Sequence, residues 1–212
     1  MKNLPKPPFL CLITDRNKTC DRPITDIVQY AIDGGVNIVQ IREKDLNNDE
    51  LYEFSLKIKN VIQEQAILMI NSNLKIALSS CADGLHLTEN ADPPKTFDNN
   101  QMLLSKAIHS SDINSIQNTK LIDLLVIGNI YKTSTHPNRK PKGIKIISEL
   151  RDKTKIPYIA VGGINESNIE PIMKNGAHGV AVISAISESQ NPKITTENIY
   201  NKLNQAWDRN EK

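Results

Sequence analysis

Tyr158–Asn165 reads YIAVGGIN: an apolar strand runs into two glycines, and a helix opens just beyond them. Glycines at such a junction let the backbone approach a ligand closely, and N–H groups at a helix start favour an anion. Gly162 and Gly163 therefore read either as a phosphate cradle or as a plain turn. The next apolar run, Gly179–Ile183 (GVAVI), ends in Ser184. Its hydroxyl and N–H either complete the same cup or cap a helix. Two successive strand ends converging on one anion is the arrangement found after strands 7 and 8 of a (β/α)8 barrel, and the rest of the chain is read for that pattern.

Six further apolar runs precede these two, at Phe9–Thr14, Ile38–Ile41, Ile67–Ile70, Gly84–Leu87, Met102–Ile108 and Leu124–Ile127. Between them lie helical spacings: Ile24, Ile27, Val28 and Ala31; Leu51, Phe54, Ile58 and Val61; Ile144, Ile147 and Leu150; Ile169, Ile172 and Met173; and Ile199, Leu203 and Ala206. A short fifth helix is expected near Ile113. Expected caps are Asn48, Asn165 or Ser167, and Thr195 or Thr196. Continuous apolar strands alternating with helices predict a parallel sheet covered by helices, and eight of them predict closure. The fold class is α/β, a single (β/α)8 TIM barrel spanning residues 1–212 as one domain. Glu89–Gln101 interrupts the pattern: it is polar and leaves room for only a short or distorted helix.

Composition bounds the function. Twenty-six basic and 24 acidic residues give a net charge of +2 without clusters, which argues against nucleic acid or an anionic membrane as partner. Three cysteines, Cys11, Cys20 and Cys81, show no metal-ligand spacing and speak against a disulfide framework, so a reducing cytoplasm is the expected location. Lys2 and Lys6 precede an apolar run, Phe9–Thr14, too short for a signal segment or a membrane span.

In a barrel the chemistry belongs at the C-terminal strand ends. In QIREK, Gln40, Arg42 and Lys44 share one face, where the two cations either grip a phosphate or pyrophosphate or stand in solvent paired with Glu43 or Asp45. Asn71 ends the third strand, as a ligand contact or as the cap of a helix from Leu74. His109 lies just past the fifth strand, as a general acid/base or as a structural neighbour of a helix start. The loop after strand 6 offers Thr133, Thr135, His136, Arg139, Lys140 and Lys142, a basic lid or a solvated turn. His86 and His178 are assigned structural places. Lys106 stands where an outward apolar residue is expected.

Taken together, LITD at Leu12–Asp15, GGVNIVQIREK at Gly34–Lys44, ADGLHL at Ala82–Leu87, IHS at Ile108–Ser110, IGNIYKTST at Ile127–Thr135, IAVGGI at Ile159–Ile164 and GAHGVAVISAI at Gly176–Ile186 resemble the thiamin phosphate synthase/TenI family. The resemblance implies a (β/α)8 barrel in thiamin biosynthesis that binds a phosphorylated thiazole. It implies that Gly163, Ile183 and Ser184 hold the thiazole phosphate and that Gln40, Arg42, Lys44 and Asn71 face a pyrimidine pyrophosphate. In the synthases of that family an aspartate follows the Asn and a second follows HLGQ, both holding magnesium. Here those positions carry Ser72 and Ala91, with Asp92 one residue out of register. The strand-5 serine falls at Ala107 and the loop lysine at His136. TenI-like members share the loss of the aspartates and use the histidine matching His109 to move a proton. The expected activity is thus a thiazole tautomerase with no cofactor. The alternative is a thiamin phosphate synthase whose magnesium is held by Asp92 or Glu89, and a third reading is a non-catalytic phosphate-ligand binding protein.

Overall fold

The structure, a computed structural model, describes residues 3–98, 100–112, 119–133 and 140–210. Eight strands pair in parallel in chain order: β1 (Phe9–Ile13), β2 (Ile38–Ile41), β3 (Ile67–Asn71), β4 (Gly84–Leu87), β5 (Leu103–Ile108), β6 (Leu124–Ile127), β7 (Tyr158–Val161) and β8 (Gly179–Val182). β8 pairs with β1 and closes the barrel. The two-residue period then sorts every strand into two sets. Leu10, Leu12, Val39, Ile41, Leu68 and Ile70 point outward into a large core under the helices. Phe9, Cys11, Ile38, Met69, Leu124 and Ile159 point inward and fill the barrel itself. Because both faces are buried, the strands read as unbroken apolar runs. Burial among these inward groups pushes the Cys11 thiol up to about 12.

The helices follow from their apolar spacing. α1 (Ile24–Asp33) buries Ile24, Ile27, Val28, Ala31 and Ile32. α2 (Asn48–Ile62) opens with a capping box in which Asn47 accepts the Glu50 N–H and Glu50 accepts the Asn47 N–H, so the cap is Asn47 and not Asn48. α3 (Leu74–Ser79) is capped by Asn73, which releases Asn71 from that role. α4 (Lys145–Arg151), α5 (Ile169–Lys174), α6 (Ser184–Ser187) and α7 (Pro192–Asn210) complete the set. Neither Asn165 nor Ser167 caps α5: they form a local turn ahead of it, with Asn165 Oδ1 accepting the Ser167 N–H at 2.9 Å. α7 begins before the threonines expected to cap it. Pro192 takes the first position, Asn191 Oδ1 accepts the Ile194 N–H at 3.2 Å, and Thr196 is buried with its hydroxyl bonded to Pro192 O. The helix expected near Ile113 lies outside the described residues. No helix of the described residues is long and apolar enough to cross a membrane.

Between β4 and β5 the described residues form no α-helix, only turns and extended chain. Lys106 takes up the resulting gap. It faces outward from β5, is only 4% exposed, and its ammonium donates to the Ala91 carbonyl. Burial lowers its pKa, and the nearby carboxylates of Asp92 and Glu89 partly offset that effect. The aliphatic stem covers the sheet while the head fastens a segment whose Ala91 and Phe97 pack on the outer core.

Inside the barrel, His86 is buried, and its Nδ1 lies 2.8 Å from Ser105 Oγ. Desolvation, followed by the charges of Arg42 and Lys106, pushes its pKa down to about 4.

Two predictions follow from these buried polar groups. Lys106→Met should keep the stem but orphan the Ala91 carbonyl, at a cost of about 1–3 kcal/mol in urea unfolding. Faster hydrogen exchange should be confined to residues 89–98, and an unchanged midpoint would show the bond to be idle. For His86 the unfolded chain binds its proton first as pH falls, so its stabilising contribution is complete above about pH 6.5 and lost toward pH 4. Between pH 7 and pH 4.5 the protein should lose about 2–3 kcal/mol more than a His86→Asn variant. Equal losses in the two proteins would remove His86 from the acid sensitivity.

Candidate active site

The C-terminal strand ends enclose a cavity of about 660 Å³. Its β7–β8 side is built from the glycine pair and the start of α6. Gly162 and Gly163 have φ of +111° and +64°, a region that favours glycine. At Gly163 a side chain would also strike the main chain of Lys132, and an added Cβ would lie 2.9 Å from that of Tyr131. The turn is held by Tyr131 N–H donating to Gly162 O at 2.9 Å and Asn168 Nδ2 donating to Gly163 O at 2.9 Å. Across from it the α6 hydrogen bonds begin with Ile186 N–H to Ile183 O, so the N–H groups of Ser184 and Ala185 precede the helical ladder. Gly162, Gly163, Ile183 and Ser184 all line the cavity. Backbone N–H groups so placed have the donor chemistry that an anion such as phosphate takes.

The β2 side is cationic. Arg42 and Lys44 line the cavity with Gln40, as their shared parity predicts. The carboxylates considered as their partners turn elsewhere. Glu43 and Asp45 approach Arg16 at 3.4 and 2.7 Å, tying the β1–α1 loop to the end of β2. Asn71 also lines the cavity, with its Oδ1 3.5 Å from Gln40 Nε2 and its Nδ2 donating to Ser72 Oγ at 3.1 Å. The register sets Asn71 beside His86 and His86 beside Ser105, so a polar arc runs across the inner faces of β2 to β5. Ile13, Val126, Val161 and Ala181 line the remainder with apolar groups. The cavity thus offers donors for an anion at one side, cations and amides at another and apolar walls between them.

His86 also lines this cavity, from the buried place that its contact with Ser105 gives it. Its signal was the parity it shares with Gly84, on the inward face opposite Asn71. His178 keeps a structural place: its Nδ1 accepts the Tyr158 N–H at 3.3 Å, and its ring meets that of Tyr158 edge-on.

His109 stands at the rim past β5. Its backbone N–H donates to Glu89 Oε1 at 2.9 Å, and its Nδ1 lies 3.0 Å from Glu89 Oε2. Gly128, at the end of β6, gives the ring its space, since an added Cβ there would come within 2.5 Å of Nε2. Thr133 lines the cavity, whereas Thr135, His136 and Arg139 lie outside the described residues. The Asn129 side chain and main chain close the base of the loop after β6, with Nδ2 donating to Lys140 O at 2.6 Å and Lys142 N–H donating to Asn129 O at 2.8 Å.

The donors at hand do not fit magnesium, which requires hard oxygens in near-octahedral array. Ser72 and Ala91 offer no carboxylate. Both oxygens of Glu89 are bonded to His109, and Asp92 is not among the cavity-lining residues but stands near Lys106. No cluster of three potential acidic, cysteine or histidine ligands occurs among the described residues.

Comparison with known proteins accords with this geometry. The sequence profile described as thiamine monophosphate synthase matches residues 10–186. The chain is 33% identical over 206 residues to a thiamine-phosphate synthase of Syntrophomonas wolfei subsp. wolfei, covering 95% of this chain and 97% of that protein. It is 31% identical over 188 residues to a thiamine-phosphate synthase of Clostridium acetobutylicum, covering 87% of this chain and 89% of the other. Among solved structures, a thiamine phosphate pyrophosphorylase from Pyrococcus furiosus superposes with a TM-score of 0.80 at 25% identity, over 93% of this chain and 96% of that one. With the profile matched across all eight strands, the chain belongs to the thiamine monophosphate synthase family.

Proposed function

We propose that this member of the family is a thiazole tautomerase, which aromatises a phosphorylated thiazole carboxylate by proton transfer and without a metal. The observation that carries the reading is the placing of His109 on the same cavity as the Gly163–Ser184 cup, while the positions of the family's magnesium carboxylates hold Ser72 and Ala91. The cup anchors the phosphate tail. The ring lies against Val126, Val161 and Ala181, and Arg42 with Lys44 supplies the positive charge that a carboxylate on the far side of the ring requires.

The reaction needs no co-reactant. One proton leaves a saturated ring carbon, the electron pair of that bond enters the conjugated system, and one proton returns at the exocyclic carbon. His109 carries the proton between the two positions, and general acid–base help of this kind contributes about 10²–10⁴-fold. Binding through the remote phosphate holds the ring carbon within reach of the imidazole, converting an encounter into an internal step.

A second reading, thiamin phosphate synthesis, is favoured by the relatives that are thiamine-phosphate synthases by name and by the cationic β2 end, which also suits a pyrophosphate. It requires a divalent cation to neutralise the leaving group, and the donor set described above does not supply its ligands.

His109→Asn should lower isomerisation by about 10²–10⁴-fold while leaving thiazole phosphate affinity within a few-fold of wild type. Isomerisation at the original rate would exclude His109 as the base. Ser184→Ala should weaken thiazole phosphate binding by about tenfold in calorimetry, the scale of one hydrogen bond to a charged group. Unchanged affinity would place the phosphate elsewhere. Binding without isomerisation in the wild type would mark a ligand-binding protein instead of an enzyme.

A further inference from the structure

We infer that Glu89 is a positioning residue that holds His109 in a single tautomer, with Nε2 as the proton-accepting atom, and that Gly128 exists as glycine to admit that atom to the cavity. The consequence for turnover rests on the tautomerase reading; the tautomer itself does not.

Glu89 and His109 follow adjacent strands, β4 and β5, whose register pairs Leu87 with Lys106. The carboxylate grips the histidine twice, through its backbone N–H at 2.9 Å and through Nδ1 at 3.0 Å. A carboxylate accepts hydrogen bonds and has none to donate, so Nδ1 must carry the hydrogen. In the neutral ring Nε2 is then the bare nitrogen. The backbone contact matters as much as the ring contact, because it fixes the carboxylate relative to the main chain and leaves the imidazole one orientation.

Gly128 shows where that orientation points. It shares inward parity with Val126 and lines the cavity. A Cβ there would lie 2.5 Å from Nε2 and 2.9 Å from Cδ2, so the Nε2 edge of the ring rests against a bare Cα at the barrel mouth. Gly128 is not among the positive-φ glycines, so its backbone would accept alanine and only the space beside His109 forbids it. Two neighbours from different strands thus converge on one feature of His109: proton on Nδ1, lone pair of Nε2 toward the cavity.

The proton transfer then has assigned atoms. A ring C–H bond of the thiazole breaks and an Nε2–H bond forms. The imidazolium so produced faces the Glu89 carboxylate, which keeps its charge and takes no proton. Nε2–H next breaks as a C–H bond forms at the exocyclic carbon, and the ring returns to the Nδ1–H tautomer. This use of Glu89 also competes with any role as a metal ligand, since both oxygens are already engaged.

The test combines ¹⁵N-histidine NMR with steady-state kinetics. The four histidines can be told apart by comparison with His109→Asn. Wild-type His109, when neutral, should carry its proton on Nδ1. In Glu89→Gln the backbone N–H still needs the amide oxygen, which turns the amide NH2 toward Nδ1 and should move the proton to Nε2. That variant should lose about 10²–10⁴-fold in kcat, the contribution that general acid–base help makes, with KM within threefold of wild type. Gly128→Ala should keep the Nδ1 proton where the ring remains on Glu89 but lose kcat on a comparable scale, because Nε2 is pushed from the mouth. Wild-type His109 protonated on Nε2 would overturn the inference whatever the turnover, and so would Glu89→Gln turning over within twofold of wild type. Nδ1–H in the wild type with no isomerisation would leave the pairing standing and remove the tautomerase reading.

Discussion

Closure of β8 onto β1 decides which side of every strand meets the cavity, and the candidate site depends on that one constraint. An open sheet would leave Gln40, Asn71, His86 and Ser105 on an exposed face, where water would satisfy and separate them. In a closed ring the same alternation sets them into one polar arc, opposite Val126, Val161 and Ala181. The lower part of the barrel is filled by Phe9, Met69, Leu124 and their neighbours, so the cavity lies at the C-terminal strand ends.

Around that frame the chain departs from a regular (β/α)8 pattern chiefly after β4, and the departure bears on chemistry. A full helix there would bury the β5 outer face with apolar groups. Instead Lys106 covers it and fastens Ala91, and the irregular path of the segment delivers Glu89 to the rim beside His109. A helical connection would fix its residues by a 3.6-residue period, whereas this segment is positioned by single hydrogen bonds. The opposite side of the site, at the Gly162–Gly163 turn, is held by backbone contacts to the loop after β6.

Much of this was legible in the sequence, for identifiable reasons. Strands buried on both faces announce themselves as apolar runs, and the expected bounds of β2, β4, β6 and β7 agree with those observed, while β1, β3, β5 and β8 differ by one residue at one end. Parity points Gln40, Arg42 and Lys44 to the cavity, strand ends point Asn71 and His109 there, and a strand-to-glycine junction does so for Gly162 and Gly163. The caps were less legible. Asn47 and Asn48 are chemically identical neighbours, as are Asn71 and Asn73 within one turn of each other, and only the hydrogen-bond geometry separates cap from non-cap. His86 keeps a buried, hydrogen-bonded place, and only the neighbouring strands β3 and β5 show that this place borders the cavity. The pairing of Glu89 with His109, and the space left by Gly128, join residues about twenty positions apart through a segment with no period, so no local pattern could report them.

Proton transfer at His109, and not metal-assisted displacement of pyrophosphate, is the chemistry proposed for this cavity. Its most direct test follows conversion of the thiazole carboxylate phosphate tautomer to the aromatic isomer by the purified chain in excess chelator. In parallel, thiamin phosphate formation would be followed from the pyrimidine pyrophosphate, thiazole phosphate and magnesium. Isomerisation that persists at full rate in chelator, with no thiamin phosphate formed, is the expected result. Thiamin phosphate that appears with magnesium and vanishes on chelation, with no isomerisation, would contradict the claim and establish a synthase whose metal ligands lie elsewhere.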